Sequence, residues 1–232
     1  LTTPLTESQK SRGVVFNVGV RNNKDDAAIY EPPFEVQNAV GGNAARREQS
    51  LALAFDGVEP GDSVFSFKTF SADFSGVGYT QYREIRFFVH GQPGVEAQNL
   101  RAVGRFGPDT VNYYEYSLPV RTGWQDVRIP MEILSRLKES STDRVKVDDV
   151  QGADIGALYT VVGNPSFTRV NRISFGLTIF GGPADAAGEV WIDELRLSDV
   201  RKEVGKTGNF AVQATFADVL SLNASYQKQD QD

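Results

Sequence analysis

Apolar and polar residues alternate along most of the chain, in short runs separated by turn-forming sequences. Successive side chains of a β-strand point to opposite faces of the sheet, so each run predicts a strand with one buried face. The clearest case is Ile173, Phe175, Leu177 and Ile179. Runs of the same kind occupy residues 51–55, 64–70, 83–90, 100–106, 114–120, 124–129 and 189–197.

Gly- and Pro-containing turns separate these runs, for example Glu59-Pro60-Gly61-Asp62. One helical pattern interrupts them, at residues 131–138, with Pro130 suited to the first helical turn. Residues 139–162 are polar, and we expect a long surface loop there. Seven or eight strands over residues 50–198 predict an all-β fold: a two-sheet antiparallel β-sandwich of jelly-roll type, similar in plan to galactose-binding and carbohydrate-binding modules.

The stretch from Glu189 to Leu197 contains the last predicted core strand, and its apolar positions change parity. Val190 and Ile192 are even positions, whereas Leu195 and Leu197 are odd. One face can bury both pairs only if an extra residue is accommodated between them. We therefore predict a β-bulge at Asp193 and Glu194.

The two ends of the chain differ from its middle. Residues 1–48 predict an extension with one strand at 14–20 and otherwise loops, and residues 49–200 predict the compact sandwich. Residues 201–232 predict a linker followed by amphipathic strands at 210–216 and 220–226. In both tail strands one face is apolar and the other carries mostly small or polar residues. This pattern is typical of a membrane β-barrel strand pair, and equally of a soluble hairpin or extra sandwich strands.

Composition excludes several classes of function. With 24 Lys+Arg against 30 Asp+Glu among 232 residues the net charge is −6, and no basic cluster predicts nucleic-acid binding. Cysteine is absent, so thiolate chemistry and disulfides are excluded. The apolar runs are too short for a membrane-spanning helix.

Three acids in the last core strand raise the question of catalysis. Glu189, Asp193 and Glu194 could supply the paired carboxylates of a glycosidase, but their spacing is poor and a structural role at a bulge is favoured. Asp193 is a candidate ligand for a structural Ca²⁺, and no other cofactor is expected. His90 is the sole histidine and lacks the sequence context of a serine hydrolase, so we predict no enzyme activity.

Aromatic residues suggest a second kind of site, because flat rings stack on the apolar faces of sugars. Tyr114 and Tyr116 share the apolar face of their strand and are predicted to lie in the core. Trp191 and Trp124 are expected to be structural as well. Trp124 and Tyr113 remain the candidate residues for stacking on a ligand.

Several segments, taken in order, resemble the SprA/Sov family of outer-membrane translocons of the type IX secretion and gliding machinery. The resemblance rests on residues 48–51 leading to 59–63, on 82–91, on 113–119, on 162–166 and on 189–197. Asp193 stands where the resemblance leads us to expect Asn.

The resemblance implies a soluble sandwich module inserted between strands of a very large outer-membrane barrel, on its extracellular or periplasmic side. It also implies contacts with other translocon subunits and with exported cargo proteins, and no catalysis. The alternative is a carbohydrate-binding jelly-roll module of a secreted or cell-surface protein. That alternative requires Trp124 or Trp191 to be exposed on a sheet face, whereas the translocon hypothesis allows both to be buried.

Overall fold

The structure is a computed structural model that describes residues 2–36, 46–70, 79–140, 145–147, 156–182, 184–201, 210–216 and 220–226. The helices are α1 (Glu7–Ser11) and α2 (Met131–Glu139). The strands, in chain order, are β1 (Val15–Asn22), β2 (Gln49–Val58), β3 (Ser63–Thr69), β4 (Tyr82–Gly91), β5 (Leu100–Gly107), β6 (Tyr113–Pro119), β7 (Gly123–Pro130), β8 (Val145–Val147), β9 (Leu158–Val162), β10 (Arg172–Ile179), β11 (Ala186–Val200), β12 (Phe210–Phe216) and β13 (Leu220–Tyr226).

The strands form two sheets. The larger sheet has seven strands: five in the order β1-β2-β11-β4-β7, and the pair β13-β12, which joins the sheet through β11. The smaller sheet has six strands in the order β3-β10-β5-β6-β9-β8. The central strands are β2-β11-β4-β7 in the larger sheet and β3-β10-β5-β6 in the smaller one, and the chain crosses repeatedly between them. This order of antiparallel strands is the jelly roll. The predicted fold class is confirmed.

The core lies between the sheets and contains the apolar side of each alternating run. Its largest fully buried side chains include Phe87 of the larger sheet and Phe106, Tyr116 and Phe175 of the smaller one. Phe87 and Phe175 meet edge to face across the two layers, with ring centroids 5.1 Å apart. Each buried ring of this size contributes about 2–3 kcal/mol through loss of water contact.

Helix α2 begins directly after Pro130, as the sequence pattern predicts. Its apolar side, Met131, Leu134 and Leu137, is buried in the core. Helix α1 was not predicted. It has only five residues and begins with a capping box, in which Thr6 and Gln9 each accept a hydrogen bond from the other's backbone N–H.

The predicted surface loop at 139–162 is wrong in part. Strand β9 occupies residues 158–162 and pairs with β6, and β8 pairs with β9 at the edge of the smaller sheet. Tyr159 is fully buried and packs edge to face on Tyr116, with ring centroids 5.2 Å apart. The apolar residues of β9, Tyr159 and Val161, form a short run after a long polar stretch, and both are buried in the core.

The predicted bulge is present in β11. Asp193 pairs with Phe88 of β4, and the next pair is Arg196 with Arg86, so β11 contains one residue more than β4 between these positions. Glu194 adopts a left-handed conformation with φ +47°, and its backbone N–H donates to the Asp193 carboxylate over 2.7 Å. As a result Ile192 and Leu195 both face the core.

Both ends of the chain contribute to the larger sheet. β1 pairs with β2 along its whole length and forms an edge strand. β12 and β13 form an antiparallel pair within the predicted limits, and β13 lies parallel to β11, with Arg196 opposite Asn223. This is the arrangement expected of added sandwich strands, while entry into a membrane stays a prediction. No helix in the described residues is long and apolar enough to span a membrane.

The left-handed residue of the bulge provides a test of this geometry. Glu194→Val and Glu194→Gly remove the same carboxylate, but a β-branched residue is strained at φ +47°, whereas glycine is not. We expect the valine variant to be less stable than the glycine variant by about 1 kcal/mol in urea denaturation. A valine variant as stable as the glycine variant would contradict the bulge, because valine is the better residue in a regular strand.

Candidate functional site

The outer face of the larger sheet carries a cluster of aromatic rings, which we call the outer aromatic cluster: Tyr30, Phe88, His90, Trp124 and Trp191. Alternation places His90, Trp124 and Trp191 on neighbouring strands, on the side opposite the core. His90 and Trp191 stack with ring centroids 4.3 Å apart and an interplanar angle of 14°. Trp124 contacts both rings, with centroids 4.8 Å from His90 and 6.0 Å from Trp191.

Residues 23–36, which we call the covering segment, lie over this cluster. Tyr30 packs on Trp191 with ring centroids 5.3 Å apart and is itself only 3% exposed. The Trp124 indole N–H donates to the Glu31 carbonyl over 2.7 Å, and Phe34 contacts Phe88. Trp191 is consequently 0% exposed, and Trp124 is half-buried. The face that a sugar would need for stacking is therefore occupied by the chain itself.

The covering segment is shaped by local hydrogen bonds. The Asp26 side chain accepts from the Asn22 backbone N–H over 3.0 Å, and the Tyr30 backbone N–H donates to the Asp26 carbonyl over 2.9 Å. The Asn22 side chain accepts from the backbone N–H groups of Lys24 and Asp25. These Asx-type turns bring Tyr30 back over the sheet that β1 has just left.

A buried carboxylate lies beneath the covering segment. Asp193 is 1% exposed and accepts hydrogen bonds from the Tyr30 hydroxyl over 3.1 Å and from the Glu194 backbone N–H over 2.7 Å. Ser50 donates to the Tyr30 hydroxyl over 2.8 Å, which completes a chain of polar contacts across the sheet. Burial and the nearby charge of Glu48 raise the pKa of Asp193 to about 7.

Among the described residues, no cluster of candidate Ca²⁺ ligands surrounds Asp193. Each carboxylate oxygen already accepts a hydrogen bond, and the described residues contain no group of three or more acidic or histidine side chains suited to a metal ion. Calcium usually takes six to eight oxygen ligands. Calcium binding stays a prediction.

The three acids of β11 have separate structural partners. Glu189 receives two hydrogen bonds from Arg21 of β1, at 2.7 and 2.8 Å, and one from the Trp191 indole N–H. Burial alone would raise the pKa of Glu189, but these donors outweigh it and the pKa is lowered. Glu194 forms an ion pair with Arg196. The geometry does not direct these carboxylates at a common point.

His90 has a packing role in this geometry. Its ring is stacked on Trp191 and flanked by Trp124, and burial lowers its pKa. Its Nδ1 is buried without a hydrogen-bond partner in the structure. The imidazole of His90 is thus packed against both tryptophan rings, and its lack of a catalytic role stays a prediction.

The two candidate stacking residues lie on opposite sides of the molecule. Trp124 is on the outer face of the larger sheet, whereas Tyr113 belongs to β6 of the smaller sheet. The Arg105 guanidinium lies over the Tyr113 ring, 4.7 Å from its centroid. Trp124 and Tyr113 thus form no common platform, and each ring already has a partner from the chain.

Sequence reasoning missed two features of these faces. Tyr30 lies in an irregular stretch where no periodicity marks it as buried. The outer face of the smaller sheet carries Arg105 and Arg172 stacked on aromatic rings, with Arg172 3.5 Å from the centroid of Phe67. The sequence indicates that Arg172 faces outward, because it lies on the polar side of the most regular alternating strand.

No protein-family model matches the chain, and no curated protein matches it significantly. A solved family 11 carbohydrate-binding module from Clostridium thermocellum, in complex with a β-1,3-1,4-mixed-linked tetrasaccharide, is similar at 11% identity and TM-score 0.38, over 79% of this chain and 85% of that one. The family 11 module of the cellulosomal cellulase Lic26A-Cel5E from the same organism is similar at 11% identity and TM-score 0.28, over 72% and 86%. Likenesses this weak do not assign a ligand, and the jelly roll rests on the strand order alone.

The raised pKa of Asp193 predicts a pH-dependent stability. Between pH 4 and pH 7 the folded protein holds a proton on Asp193 that the unfolded chain releases, so the free energy of unfolding falls as pH rises through this window and levels off above it. Asp193→Asn keeps the shape and removes the titration. We expect the free energy of unfolding of Asp193→Asn, relative to that of the wild type, to increase from pH 4 to pH 7 by up to about 4 kcal/mol. Urea denaturation at each pH measures this difference.

Glu189→Gln provides the matched control, since the pKa of Glu189 is lowered instead of raised. The ionised Glu189 stabilises the folded state above its unfolded pKa, and this contribution is lost as pH falls. The cost of Glu189→Gln should therefore shrink toward low pH. An Asp193→Asn difference that does not change with pH would show that Asp193 is ionised normally and is not buried as described.

Proposed function

We propose that this chain is a non-catalytic structural and interaction module of a SprA/Sov-like protein-secretion translocon of the outer membrane. The observation that supports it best is the burial of Trp191 beneath the covering segment, together with the hydrogen bond that ties Trp124 to Glu31. The translocon hypothesis allows both tryptophans to be enclosed, whereas the carbohydrate-binding alternative requires one of them to be exposed. A sandwich with this face closed is suited to a rigid spacer between partner proteins.

The residues that carry the resemblance occupy the framework of the fold. Residues 82–91 are β4, residues 113–119 are β6 and residues 189–197 form the middle of β11, while residues 59–63 include the turn from β2 into β3. These elements build both sheets and the connection between them. A common pattern at these positions is expected of related modules that share one architecture.

The edge of the larger sheet offers a surface for a partner. Among the described strands, β1 pairs only with β2, so its other side is free for backbone hydrogen bonds. Val15 and Val20 on this strand are 44% and 37% exposed. An added strand from another subunit is a common form of protein recognition at such an edge.

The carbohydrate-binding alternative has one observation in its favour. Trp124 is half-buried and not fully enclosed, and moving the covering segment away would uncover a row of aromatic rings with Trp191 and His90. Such a row is able to stack on sugar rings. This alternative requires residues 23–36 to move away from the sheet. That movement would break the hydrogen bonds from Tyr30 to Asp193 and from Trp124 to Glu31.

Depletion of the protein in its source bacterium tests the proposal. We expect proteins exported by the type IX route to disappear from the medium and to accumulate in the periplasm, because the translocon would lose a structural part. A wild-type copy should restore export. Undiminished export after depletion would contradict the proposal.

A glycan array with the isolated chain separates the two hypotheses. The proposed function predicts no glycan signal that depends on Trp124. Binding at micromolar concentration that Trp124→Ala abolishes, while a Phe180→Ala control at an exposed ring keeps it, would instead establish the carbohydrate-binding alternative.

A further inference from the structure

A pocket of about 130 Å³ opens on the outer face of the smaller sheet, on the side of the molecule opposite the outer aromatic cluster. Its lining includes Phe65, Arg105, Tyr113, Arg172 and Ser174. Strands β3, β10, β5 and β6 each contribute to it, so its shape depends on the paired sheet and not on a loop alone.

The two arginines are held in place by aromatic rings. Arg105 lies between Phe65 and Tyr113, with its guanidinium 3.8 and 4.7 Å from the ring centroids, and Arg172 lies 3.5 Å from the centroid of Phe67. Stacking on a ring leaves the N–H groups at the edge of the guanidinium free to donate hydrogen bonds. The side chains are therefore ordered before any ligand arrives.

Among the described residues that surround the pocket, Arg172 is the cation for which no counter-ion is seen. Arg105 donates to Glu115 over 2.7 Å and forms an ion pair with it. Asp109, which also lines the pocket, accepts from the backbone N–H groups of Val111 and Asn112 and interacts with Arg169. Within the described part of the chain, no carboxylate or other hydrogen-bond acceptor contacts the Arg172 guanidinium.

Partial burial and the nearby positive charge of Arg105 lower the pKa of Arg172. The guanidinium stays protonated at neutral pH, so its positive charge is partly desolvated and is repelled by Arg105. An anion in the pocket would relieve both effects. Ser174, whose side chain lies in the same lining and is 4% exposed, offers a further donor.

The size of the pocket restricts what can enter. Binding sites for whole small molecules usually measure about 300–1,000 Å³, several times the 130 Å³ present here. The space suits a single functional group that projects from a larger partner. A carboxylate is the anion that matches the planar fork of arginine through two parallel hydrogen bonds.

We propose that this pocket is a docking site for the carboxylate of an acidic residue on a protein partner, with Arg172 as the principal hydrogen-bond donor and Ser174 as a second donor. The choice of a protein partner rests on the proposed interaction role, whereas the choice of a carboxylate rests on the pocket itself. The partner would lie against the smaller sheet, leaving the edge strand β1 free for another contact.

The test is an NMR titration of the ¹⁵N-labelled chain, followed at the Nε–H signals of Arg172 and of Arg105, which lines the same pocket. The probes are the peptide acetyl-Gly-Glu-Gly-amide, its Gln counterpart, and glucuronate. We expect the Glu peptide to shift the Arg172 signal saturably and the Gln peptide to leave it unchanged. Tighter binding of glucuronate than of the Glu peptide would overturn the assignment to a protein partner.

Variants connect the binding to the pocket, and their affinities are read at the Arg105 Nε–H signal, which every variant keeps. Arg172→Gln should lower the affinity for the Glu peptide at least about tenfold, because a charge-assisted hydrogen bond is lost. Arg172→Lys should retain only part of the affinity, because lysine lacks the planar fork of the guanidinium. Arg136→Gln, a charge-matched change on the exposed surface of α2, should have no effect. Equal affinities of the wild type, Arg172→Gln and Arg136→Gln would overturn the proposal.

The experiments distinguish a wrong assignment of the carboxylate pocket from a wrong proposed function. If no carboxylate probe shifts the Arg172 signal while depletion still stops export, the pocket assignment alone is wrong. If carboxylates bind through Arg172 while export is unaffected, the pocket stands and the translocon role is wrong.

Discussion

The β-bulge at Asp193 and Glu194 is the constraint on which both faces of the larger sheet depend. A strand without it could bury Val190 and Ile192, but it would then turn Leu195 and Leu197 toward the outside. The extra residue keeps all four in the core and leaves Trp191 and Asp193 on the outer side. The same local change thus completes the hydrophobic core without moving Trp191 and Asp193 from the outer face, where the covering segment encloses them.

Enclosing that outer face gives the larger sheet a second buried side. A sandwich sheet normally exposes its outer face to water, so an aromatic cluster there would be a binding surface if it were open. Here Tyr30 fills the space above Trp191 and hydrogen-bonds to Asp193 at the same time. The stabilisation has a cost, because a carboxylate is buried beside another acid, Glu48, and its pKa is raised accordingly. Asn, the residue expected at this position from the family resemblance, would fill the same space without a charge.

The fold was predictable from the sequence to the extent that its elements are locally encoded. Strict alternation marked β10 and β4, the parity change within β11 marked the bulge, and spacing after Pro130 marked α2. Strand β9 was missed because its alternating residues, Tyr159 and Val161, form a short run that follows a long polar stretch. The structural role predicted for the acids of β11 stays a prediction, and their partners in the structure are Arg21, Tyr30 and Arg196.

The faces of the sandwich were much less predictable, because they are made by contacts between residues far apart in the chain. Nothing in the sequence around Tyr30 places it over Trp191, which follows 161 positions later. Likewise the stacking of Arg172 on Phe67 exists only because β10 pairs with β3. Alternation shows that a side chain faces outward, but it does not show whether another segment covers it.

Tryptophan fluorescence measures directly whether the chain itself encloses the outer face of the larger sheet. The chain has two tryptophans, so Trp124→Phe leaves Trp191 as the only indole. Because Trp191 is buried, we expect its emission to lie to the blue of free tryptophan and acrylamide to quench it little. Emission and quenching like those of tryptophan in water would show that residues 23–36 do not cover this face.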